Sequence, residues 1–348
     1  MVSKTNSQYV IHRYPTEHYL TFFDRKSGFF ARVEHNGYPE PFWSPAGPEL
    51  MDISITNWCD RGCSICYRNS NSLGKHMSLD DYERIMVQAH KMNVLQVALG
   101  GGNPNQHPDF INILRLTREK YGIVPSYTTN GRGLAKDILQ TSKDYCGAVA
   151  VSAYEPYHEM EKAIKLLIKY GVKTNIHFVL TNKSVNYAIN WLAHPSTILN
   201  EINSVIFLNY KPLGKFQNRS LLLRNSDKIK HFFNLAVRQN RFKIGFDSCL
   251  VSGIAKFTKI DPRFFDFCDA GRFSMYISED LKMFPCSFMA GKYPGASVDK
   301  NNILDAWQNG VLFKSIRSRA YDETCLACSE FGICKGGCPI FSEINVCR

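Results

Sequence analysis

The middle of the chain alternates short apolar runs with segments of helical periodicity. Between residues 50 and 245, each strand-like run is followed by a segment with apolar positions three and four residues apart. This alternation is typical of repeated β-α units on a parallel sheet. The predicted strands are Leu50–Thr56, Val94–Leu99, Val124–Thr128, Ala148–Ser152, Thr174–Leu180 and Val205–Asn209. Six such units predict an α/β fold, an open and partial (β/α)6 barrel of the TIM type.

The predicted helices have recognisable faces and ends. The clearest one places five apolar residues on a single face, namely Met160, Ala163, Ile164, Leu167 and Ile168. Gly171 is a natural C-cap for this helix. An earlier helix begins after Ser78, which we expect to act as its N-cap, with Asp81 three residues later.

Residues 1–49 lie outside the β-α repeat. Aromatic residues flank the turn-like stretch 24–28, namely Tyr19, Phe22, Phe23, Phe29 and Phe30. A turn between such runs indicates a β-hairpin. We expect a small β-rich extension that packs on the barrel, too short to be a separate peptide-recognition domain.

The predicted strand ends carry residues suited to chemistry. In β/α barrels the active site forms at the carboxyl ends of the strands. Strand one leads to Cys59, strand two to Gly100-Gly101-Gly102-Asn103-Pro104, strand three to Thr129-Asn130, strand four to Ser152 and strand six to Lys211. His177 lies within strand five. It either faces the pocket or is a structural residue of the core with its hydrogen bonds satisfied.

Three cysteines follow the first strand in a C-x3-C-x2-C spacing: Cys59, Cys63 and Cys66. A tight loop of this kind offers three thiolates to one metal cluster. A [4Fe-4S] cluster normally takes four cysteines, so three ligands leave one iron open. An open position is typical of a catalytic metal site. The alternatives are a zinc knuckle or three unrelated core cysteines.

The C-terminal third, residues 246–348, is also rich in cysteine. Cys325, Cys328, Cys334 and Cys338 have the spacing C-x2-C-x5-C-x3-C. Clustered cysteines in a reducing compartment more often bind metal than form disulfides. A pair of zinc sites is the alternative to iron–sulfur clusters here.

Composition and charge set the class of protein. No apolar run approaches the length of a membrane span, and the polar N-terminus leads into no signal-type segment. We therefore expect a cytoplasmic protein without a membrane partner. The net charge is +11, but the basic residues are dispersed and no nucleic-acid recognition motif is present. A nucleic-acid partner is the less favoured interpretation.

The cysteine loop resembles the signature of the radical S-adenosylmethionine (SAM) superfamily, with Ile65 at the usual hydrophobic position before the third cysteine. The resemblance implies that the open iron of a [4Fe-4S] cluster binds SAM through its amino and carboxylate groups. One-electron reduction then releases a 5′-deoxyadenosyl radical, which abstracts hydrogen from a substrate. The cofactors carry this chemistry, and the protein positions them.

Further strand ends resemble SAM-binding motifs of the same family. Gly100-Gly101-Gly102-Asn103-Pro104 resembles the Gly-Gly-Glu-Pro motif, with Asn103 in place of the acid, so backbone carbonyls carry more of the recognition of the SAM amino group. Thr129-Asn130 and Ser152 match residues at the third and fourth strand ends. The arginine that many relatives carry after strand four is absent; the loop runs from Tyr154 through Glu155 instead.

The C-terminal pattern resembles the SPASM extension of radical SAM peptide-modifying enzymes, which holds two auxiliary [4Fe-4S] clusters. Leu281 stands where the family usually has a glycine. By resemblance, one cluster takes Cys325, Cys328, Cys334 and Cys347. The other takes Cys268, Cys286 and Cys338, with Cys249 as a possible fourth ligand or an iron left open. Cys146 is expected to be a buried apolar residue.

The resemblance implies an enzyme that modifies a ribosomally made peptide or protein by crosslinking, epimerisation or oxidation. It also implies an electron donor such as flavodoxin or ferredoxin, and a separate protein is one way to recognise a leader peptide. Two alternatives stay open: sulfatase-maturase-like oxidation of a side chain, with Glu155 among the candidate bases, and a zinc- or cluster-bearing nucleic-acid-binding protein. The sequence singles out no catalytic acid or base.

Overall fold

A small antiparallel sheet precedes the barrel. The computed structural model describes residues 2–5, 8–34, 37, 40–299 and 302–348; residues 1, 6, 7, 35, 36, 38 and 39 of the predicted extension lie outside them. The sheet has the order β1-β2-β3-β4, with β1 Val2–Thr5, β2 Tyr9–Tyr14, β3 Tyr19–Asp24 and β4 Phe30–Glu34. The predicted hairpin joins β3 to β4, and Gly28 supplies the positive φ of +78° that the turn needs.

This sheet packs on the end of the barrel away from the cysteine loop. Val10 and Phe23 contact Leu95 and Val124, which lie at the amino ends of two barrel strands. In β/α barrels that end serves stability, whereas the carboxyl ends carry the site. The extension therefore stabilises the barrel without covering the strand ends that carry the candidate chemistry.

The main sheet has ten strands and does not close. The strands are β5 Leu50–Thr56, β6 Gln96–Gly101, β7 Val124–Thr129, β8 Val149–Ser152, β9 Thr174–Leu180, β10 Ser204–Asn209, β11 Ile244–Phe246, β12 Ser274–Ile277, β13 Lys282–Phe284 and β14 Ala296–Ser297. Their order is β11-β10-β9-β8-β7-β6-β5-β12-β13-β14. All pairs from β11 to β12 are parallel. The predicted partial barrel is confirmed.

All six predicted strands are present, but the sheet extends further than predicted. β11 spans the predicted boundary at residue 245 and pairs in parallel with β10. β12, in the cysteine-rich third, pairs in parallel with β5, with Ser274 opposite Leu50 and Ile277 opposite Ile53. The barrel and the C-terminal third therefore share one sheet.

Helices cover the outer face of the sheet and continue into the C-terminal third. They are α1 Leu79–Lys91, α2 Phe110–Arg115, α3 Lys136–Tyr145, α4 His158–Lys169, α5 Val185–Ala193, α6 Asp227–Arg238, α7 Val251–Phe257, α8 Ile303–Asn309, α9 Val311–Arg317, α10 Glu323–Leu326 and α11 Phe331–Cys334. Short 3-10 turns lie at Pro104–Gln106, Thr197–Asn200, Arg219–Leu221, Ser248–Leu250, Pro262–Phe264, Ser287–Met289 and Ser342–Ile344, and a π-helical turn lies at Leu116–Lys120.

The predicted helix ends and faces are confirmed. The Ser78 side chain accepts a hydrogen bond from the Asp81 amide and caps α1. On α4, four of the five predicted apolar residues are buried in the core, and Ile168 is partly buried. Gly171 follows α4 with a φ of +72°.

Side-chain alternation along β5 separates the core from the barrel interior. Met51, Ile53 and Ile55 are buried in the core beneath the helices. Because successive side chains of a strand point to opposite faces, Asp52 and Ser54 face the interior of the barrel. Both line the cavity described below.

Within the described part of the chain, no helix combines the length and the apolar character that crossing a bilayer requires.

Two glycines let the end of β6 approach the cysteine loop. A Cβ on Gly102 would lie 2.0 Å from the Trp58 carbonyl oxygen, and one on Gly101 would lie 2.1 Å from the Thr56 carbonyl oxygen. A Cβ on Gly100 would meet no atom within 4 Å. Only the last two glycines of the triplet are therefore required by packing.

We expect Gly102→Ala to destabilise the fold by about 1–3 kcal/mol, because its Cβ would displace the backbone of the loop. Gly100→Ala is the matched control and should change the free energy of unfolding by less than about 0.5 kcal/mol. Urea-induced unfolding of both variants beside the wild type measures the difference. Equal midpoints for the two variants would contradict the close approach.

Candidate active site

One cavity brings together most of the predicted site residues. It has a volume of about 410 Å³ and lies at the carboxyl ends of the barrel strands. The predicted residues that line it are Cys59, Cys63, Ile65, Cys66, Gly100, Gly101, Gly102, Thr129, Asn130 and Ser152. Residues far apart in sequence thus converge on one space beside the cysteine loop.

Backbone hydrogen bonds hold the cysteine loop, which has no regular secondary structure. The Gly102 amide donates to the Thr56 carbonyl at 2.7 Å, and the Asn103 amide donates to the Trp58 carbonyl at 2.9 Å. From the other side, the Cys59 amide donates to the Asn71 carbonyl at 3.0 Å. Because its polar backbone groups are paired, the loop keeps a defined path at the cavity rim.

Side chains from other strand ends also contact the loop. Asn130 donates its amide protons to the Asp60 carboxylate at 2.8 Å and to the Cys59 sulfur at 3.7 Å. Arg61 forms an ion pair with Glu159 of α4 and donates to the Glu155 carbonyl at 2.9 Å. The loop itself therefore supplies an arginine to the region after β8.

Two predicted cofactor-binding residues, Asn103 and Pro104, do not line the cavity. They lie behind its wall. The Asn103 side chain is buried and accepts hydrogen bonds from the Thr129 hydroxyl at 3.0 Å and the Asn130 amide at 3.1 Å. Pro104 begins a 3-10 turn. Asn103 thus positions the end of β7. The candidate base Glu155 is exposed and is not among the lining residues.

The first cysteine group has the donor chemistry of a metal site. Burial raises the pKa of the Cys63 thiol, and the neighbouring Cys66 and Cys59 sulfurs raise it further, while Arg61 opposes them. Thiols that perturb one another in this way lie close together. All three are free of disulfide bonds.

A second group contains Cys268, Cys286 and Cys338, which the sequence predicts for one auxiliary cluster, together with Cys249, its possible fourth ligand. A hydrogen bond with Cys338 and burial raise the pKa of Cys249. Burial, with Cys268 and Cys249 nearby, raises the pKa of Cys286 well above the usual range. Burial and Cys249 raise the pKa of Cys268 to about 12. The structure thus places the uncertain Cys249 beside the other three.

The third group lies at the C-terminal end. Burial raises the pKa of Cys334, and Cys347 and Cys328 contribute to the increase. The Cys325 sulfur would lie 3.8 Å from a Cβ on Gly336, two residues after Cys334. The four cysteines predicted for the other auxiliary cluster, Cys325, Cys328, Cys334 and Cys347, therefore lie close together. Cys146 stands apart, and burial raises the pKa of its thiol.

These groups fit iron–sulfur clusters in number and type of ligand. Within the described ranges, no three His, Cys, Asp or Glu side chains are arranged around a point as for a single metal ion. A [4Fe-4S] cluster takes its cysteines on different irons. The neighbouring thiols form sets of three, four and four, with the possible ligand Cys249 in one of them, and their binding of clusters stays a prediction.

The cavity extends from the first cysteine group toward the second, whose four cysteines are not among its lining residues. Lys211 lines it and forms an ion pair with Asp247 at 2.6 Å. Burial alone would lower the pKa of Lys211, but Asp247 and Cys249 raise it above the usual lysine range. Ser287 and Phe288, which directly follow Cys286, also line the cavity. His177 lines it too, and burial lowers its pKa to about 4.

Several lining residues were not predicted from the sequence, namely Asp52, Tyr67, Asp247, Tyr276 and Phe288. For Asp52 a signal was present, because it is a charged residue within the otherwise apolar start of β5. For Tyr276 none was available, since its position depends on the unpredicted pairing of β12 with β5.

The comparison with family models supports the assignment that the geometry suggests. Residues 53–165 match the model of the radical SAM superfamily. The matched segment contains the cysteine loop, the glycine triplet and the ends of β7 and β8.

Curated relatives match over different lengths. The PqqA peptide cyclase of Ruegeria pomeroyi is 24% identical over 341 residues, which cover 88% of this chain and 86% of the relative. The mycofactocin maturase MftC of Mycolicibacterium smegmatis is 20% identical, covering 84% of this chain and 78% of the relative. The GTP 3′,8-cyclase of Pectobacterium atrosepticum is 32% identical, but the match spans only 29% of its length and 26% of this chain.

Solved structures show the same fold over nearly the whole chain. Streptococcus suis SuiB bound to precursor peptide SuiA superposes with a TM-score of 0.75 and 16% identity, covering 97% of this chain and 95% of that one. The enzyme anSMEcpe with bound AdoMet gives 0.61 and 18% identity, covering 84% and 86%. With the three-cysteine loop at the strand ends, residues 53–165 therefore carry a radical SAM domain, in a chain whose overall fold is that of SuiB and anSMEcpe.

Proposed function

We propose that this enzyme binds a [4Fe-4S] cluster and SAM at the cysteine loop and modifies a ribosomally made peptide or protein. The observation that carries the proposal is the single cavity that connects the first cysteine group to the wall of the second. One end holds Cys59, Cys63 and Cys66, and the other holds Ser287 and Phe288 beside Cys286. A substrate in this space would lie beside the first cysteine group and against the two residues that follow Cys286.

The chain's residues would position the cofactors. When bound, the cluster and SAM supply a one-electron cleavage that yields a 5′-deoxyadenosyl radical for hydrogen abstraction. Cys59, Cys63 and Cys66 would hold the cluster, and the open space at Gly100 admits the ligand without a side chain in the way. Asn130, which donates to the Cys59 sulfur, would stabilise a thiolate there.

The second half of the cavity would serve the substrate and two auxiliary clusters. We assign residues 246–348 to an auxiliary-cluster domain and residues 50–245 to the barrel that binds SAM. Lys211 lies beside Cys249 and Cys338. Its positive charge would stabilise thiolate ligands there and favour acceptance of an electron by the cluster.

The relatives support a peptide substrate. Two of them are named as a PqqA peptide cyclase and a mycofactocin maturase, and SuiB is described in complex with a precursor peptide. An external one-electron donor such as flavodoxin or ferredoxin would reduce the cluster, and a separate protein could present the leader. Crosslinking, epimerisation and side-chain oxidation remain the reaction types that this arrangement can support.

We expect anaerobic reconstitution to give about 12 irons per chain, as three [4Fe-4S] clusters require. Addition of SAM and dithionite should then yield 5′-deoxyadenosine, detected by liquid chromatography and mass spectrometry. Cys59→Ala should lose this product, because it removes a ligand of the cluster that binds SAM.

Cys146→Ala is the matched control for this experiment. Cys146 is also a partly buried free cysteine, but it belongs to none of the three groups, so iron content and product should stay at the wild-type level. Equal product from Cys59→Ala and wild type would contradict the assignment of the first cluster. Bound zinc without product would instead favour the binding-protein alternative.

We expect Cys249→Ala to bind about 8 irons and to keep SAM cleavage, because only one auxiliary cluster loses a ligand. Iron analysis and the 5′-deoxyadenosine assay on the same sample measure both quantities, again with Cys146→Ala beside it. An iron content of about 12 in Cys249→Ala would show that Cys249 is not required by the cluster.

A further inference from the structure

Asp52 is a carboxylate in the cavity to which none of the steps above assigns a role. It lies on β5, faces the barrel interior and is half-buried. Among the described residues, no hydrogen bond or ion pair reaches its carboxylate, and burial is the sole cause that shifts its pKa, to about 6. A desolvated carboxylate without a partner is costly, so Asp52 offers an unmatched negative charge to a ligand.

The other charged groups around the cavity are already paired. Arg68 forms an ion pair with Glu279 at 2.6 Å, and the Ser54 hydroxyl donates to the same carboxylate at 2.8 Å. Lys211 is paired with Asp247. His177 is neutral at physiological pH because burial lowers its pKa to about 4.

Aromatic side chains surround Asp52. Tyr276 of β12 is its direct neighbour in the parallel pair. Tyr67 lies close enough for the charge of Asp52 to contribute, after burial, to the raised pKa of its phenol. Tyr67 in turn packs on Phe288, with ring centroids 4.5 Å apart. Arg68 already lies over the Tyr276 ring at 5.4 Å, and Lys211 lies over the Phe288 ring at 4.5 Å. Tyr67 is therefore the aromatic side chain that remains beside the carboxylate of Asp52 for contact with an organic cation.

The depth of Asp52 separates it from the expected SAM contacts. It lies four residues before Thr56, the last residue of β5. At about 3.3 Å per residue, its position is about 13 Å below the strand end where the cysteine loop begins. A group that reaches Asp52 therefore extends into the barrel, past the residues expected to hold the SAM amino group.

We propose that Asp52, with Tyr67 beside it, binds a cationic group of the substrate, a primary ammonium or a guanidinium such as a lysine or arginine side chain provides. This inference rests on the proposed function for the identity of the substrate as a peptide. It adds that the region of the peptide held in the cavity carries a basic residue.

The reconstituted enzyme can be tested with n-butylammonium as the probe and 1-butanol as its neutral match, by anaerobic isothermal titration calorimetry. At pH 7.5 we expect wild type to prefer n-butylammonium, and Asp52→Asn to weaken that binding about tenfold without affecting 1-butanol. Asp52→Glu should retain the preference. Equal n-butylammonium affinity in wild type and Asp52→Asn, or no binding to wild type, would overturn the proposal.

The pH dependence tests the same site without any variant. Asp52 becomes protonated as the pH falls through about 6, so wild-type affinity for n-butylammonium should fall between pH 7.5 and pH 5. His177 stays neutral over this range, while Arg68 and Lys211 keep their charges, each paired with Glu279 or Asp247. An affinity independent of pH would contradict a role for Asp52.

A stability measurement checks that Asp52→Asn is folded. Because the folded-state pKa of Asp52 lies above its ordinary value, ionisation of this group disfavours the folded state as the pH rises past about 6. Asp52→Asn removes that cost, so its melting temperature should exceed that of wild type at pH 8 and approach it at pH 4. A lower melting temperature at pH 8 would point to a structural role instead.

SAM is itself a cation, and a further measurement separates it from the substrate. If Asp52 binds a substrate group, Asp52→Asn should bind SAM as wild type does in equilibrium dialysis. A tenfold loss of SAM affinity, with competition between SAM and n-butylammonium, would assign the cation to SAM and overturn the substrate assignment. Neither binding assay depends on SAM cleavage, so failure of the cation site is distinguishable from failure of the proposed function.

Discussion

The site depends on how the backbone of an irregular loop is held. Three cysteines must keep fixed positions in a segment that has neither helical nor ladder hydrogen bonds of its own. The end of β6 solves this by donating two amides, from Gly102 and Asn103, to carbonyls of that segment. Such contact is possible only without side chains on Gly101 and Gly102. The backbone at the end of β6 thus fixes the path of the neighbouring cysteine loop.

Side-chain hydrogen bonds then connect this contact to the neighbouring strand ends. The Asn103 side chain accepts from Thr129 and the Asn130 backbone, and the Asn130 side chain returns to the cysteine loop through Asp60 and the Cys59 sulfur. These hydrogen bonds connect the ends of β5, β6 and β7. The Asn103 side chain forms its hydrogen bonds with neighbouring strand ends and does not line the cavity, so it lies behind the cavity wall.

The sequence predicts those parts of the fold that repeat. Each of the six predicted strands is an apolar run of sufficient length, and the helix of residues 158–169 has a clear 3.6-residue period. β11 and β12 have three and four residues, too few to show a period, and their pairing is decided by tertiary contacts.

The site residues also fall into those that the sequence predicts and those that only tertiary contacts place. Cysteine spacing points to Cys59, Cys63 and Cys66 without any structure, because a cluster needs ligands at short intervals. The cavity residues Asp247 and Tyr276 have no such local pattern, since each reaches the site from a different element. The place of Cys249 beside Cys268, Cys286 and Cys338 likewise depends on folding of the C-terminal third.

The pairing of β12 with β5 has a consequence for folding and handling of the molecule. β5 leads directly into the cysteine loop, and its outer edge is covered by a strand from the far end of the sequence. A chain cut at residue 245 would expose that edge, with unpaired amides and carbonyls ready to recruit other chains into aggregates. The barrel is therefore not a detachable module. During synthesis, the sheet around β5 is complete only after the last third of the chain, which contains β12, has been made.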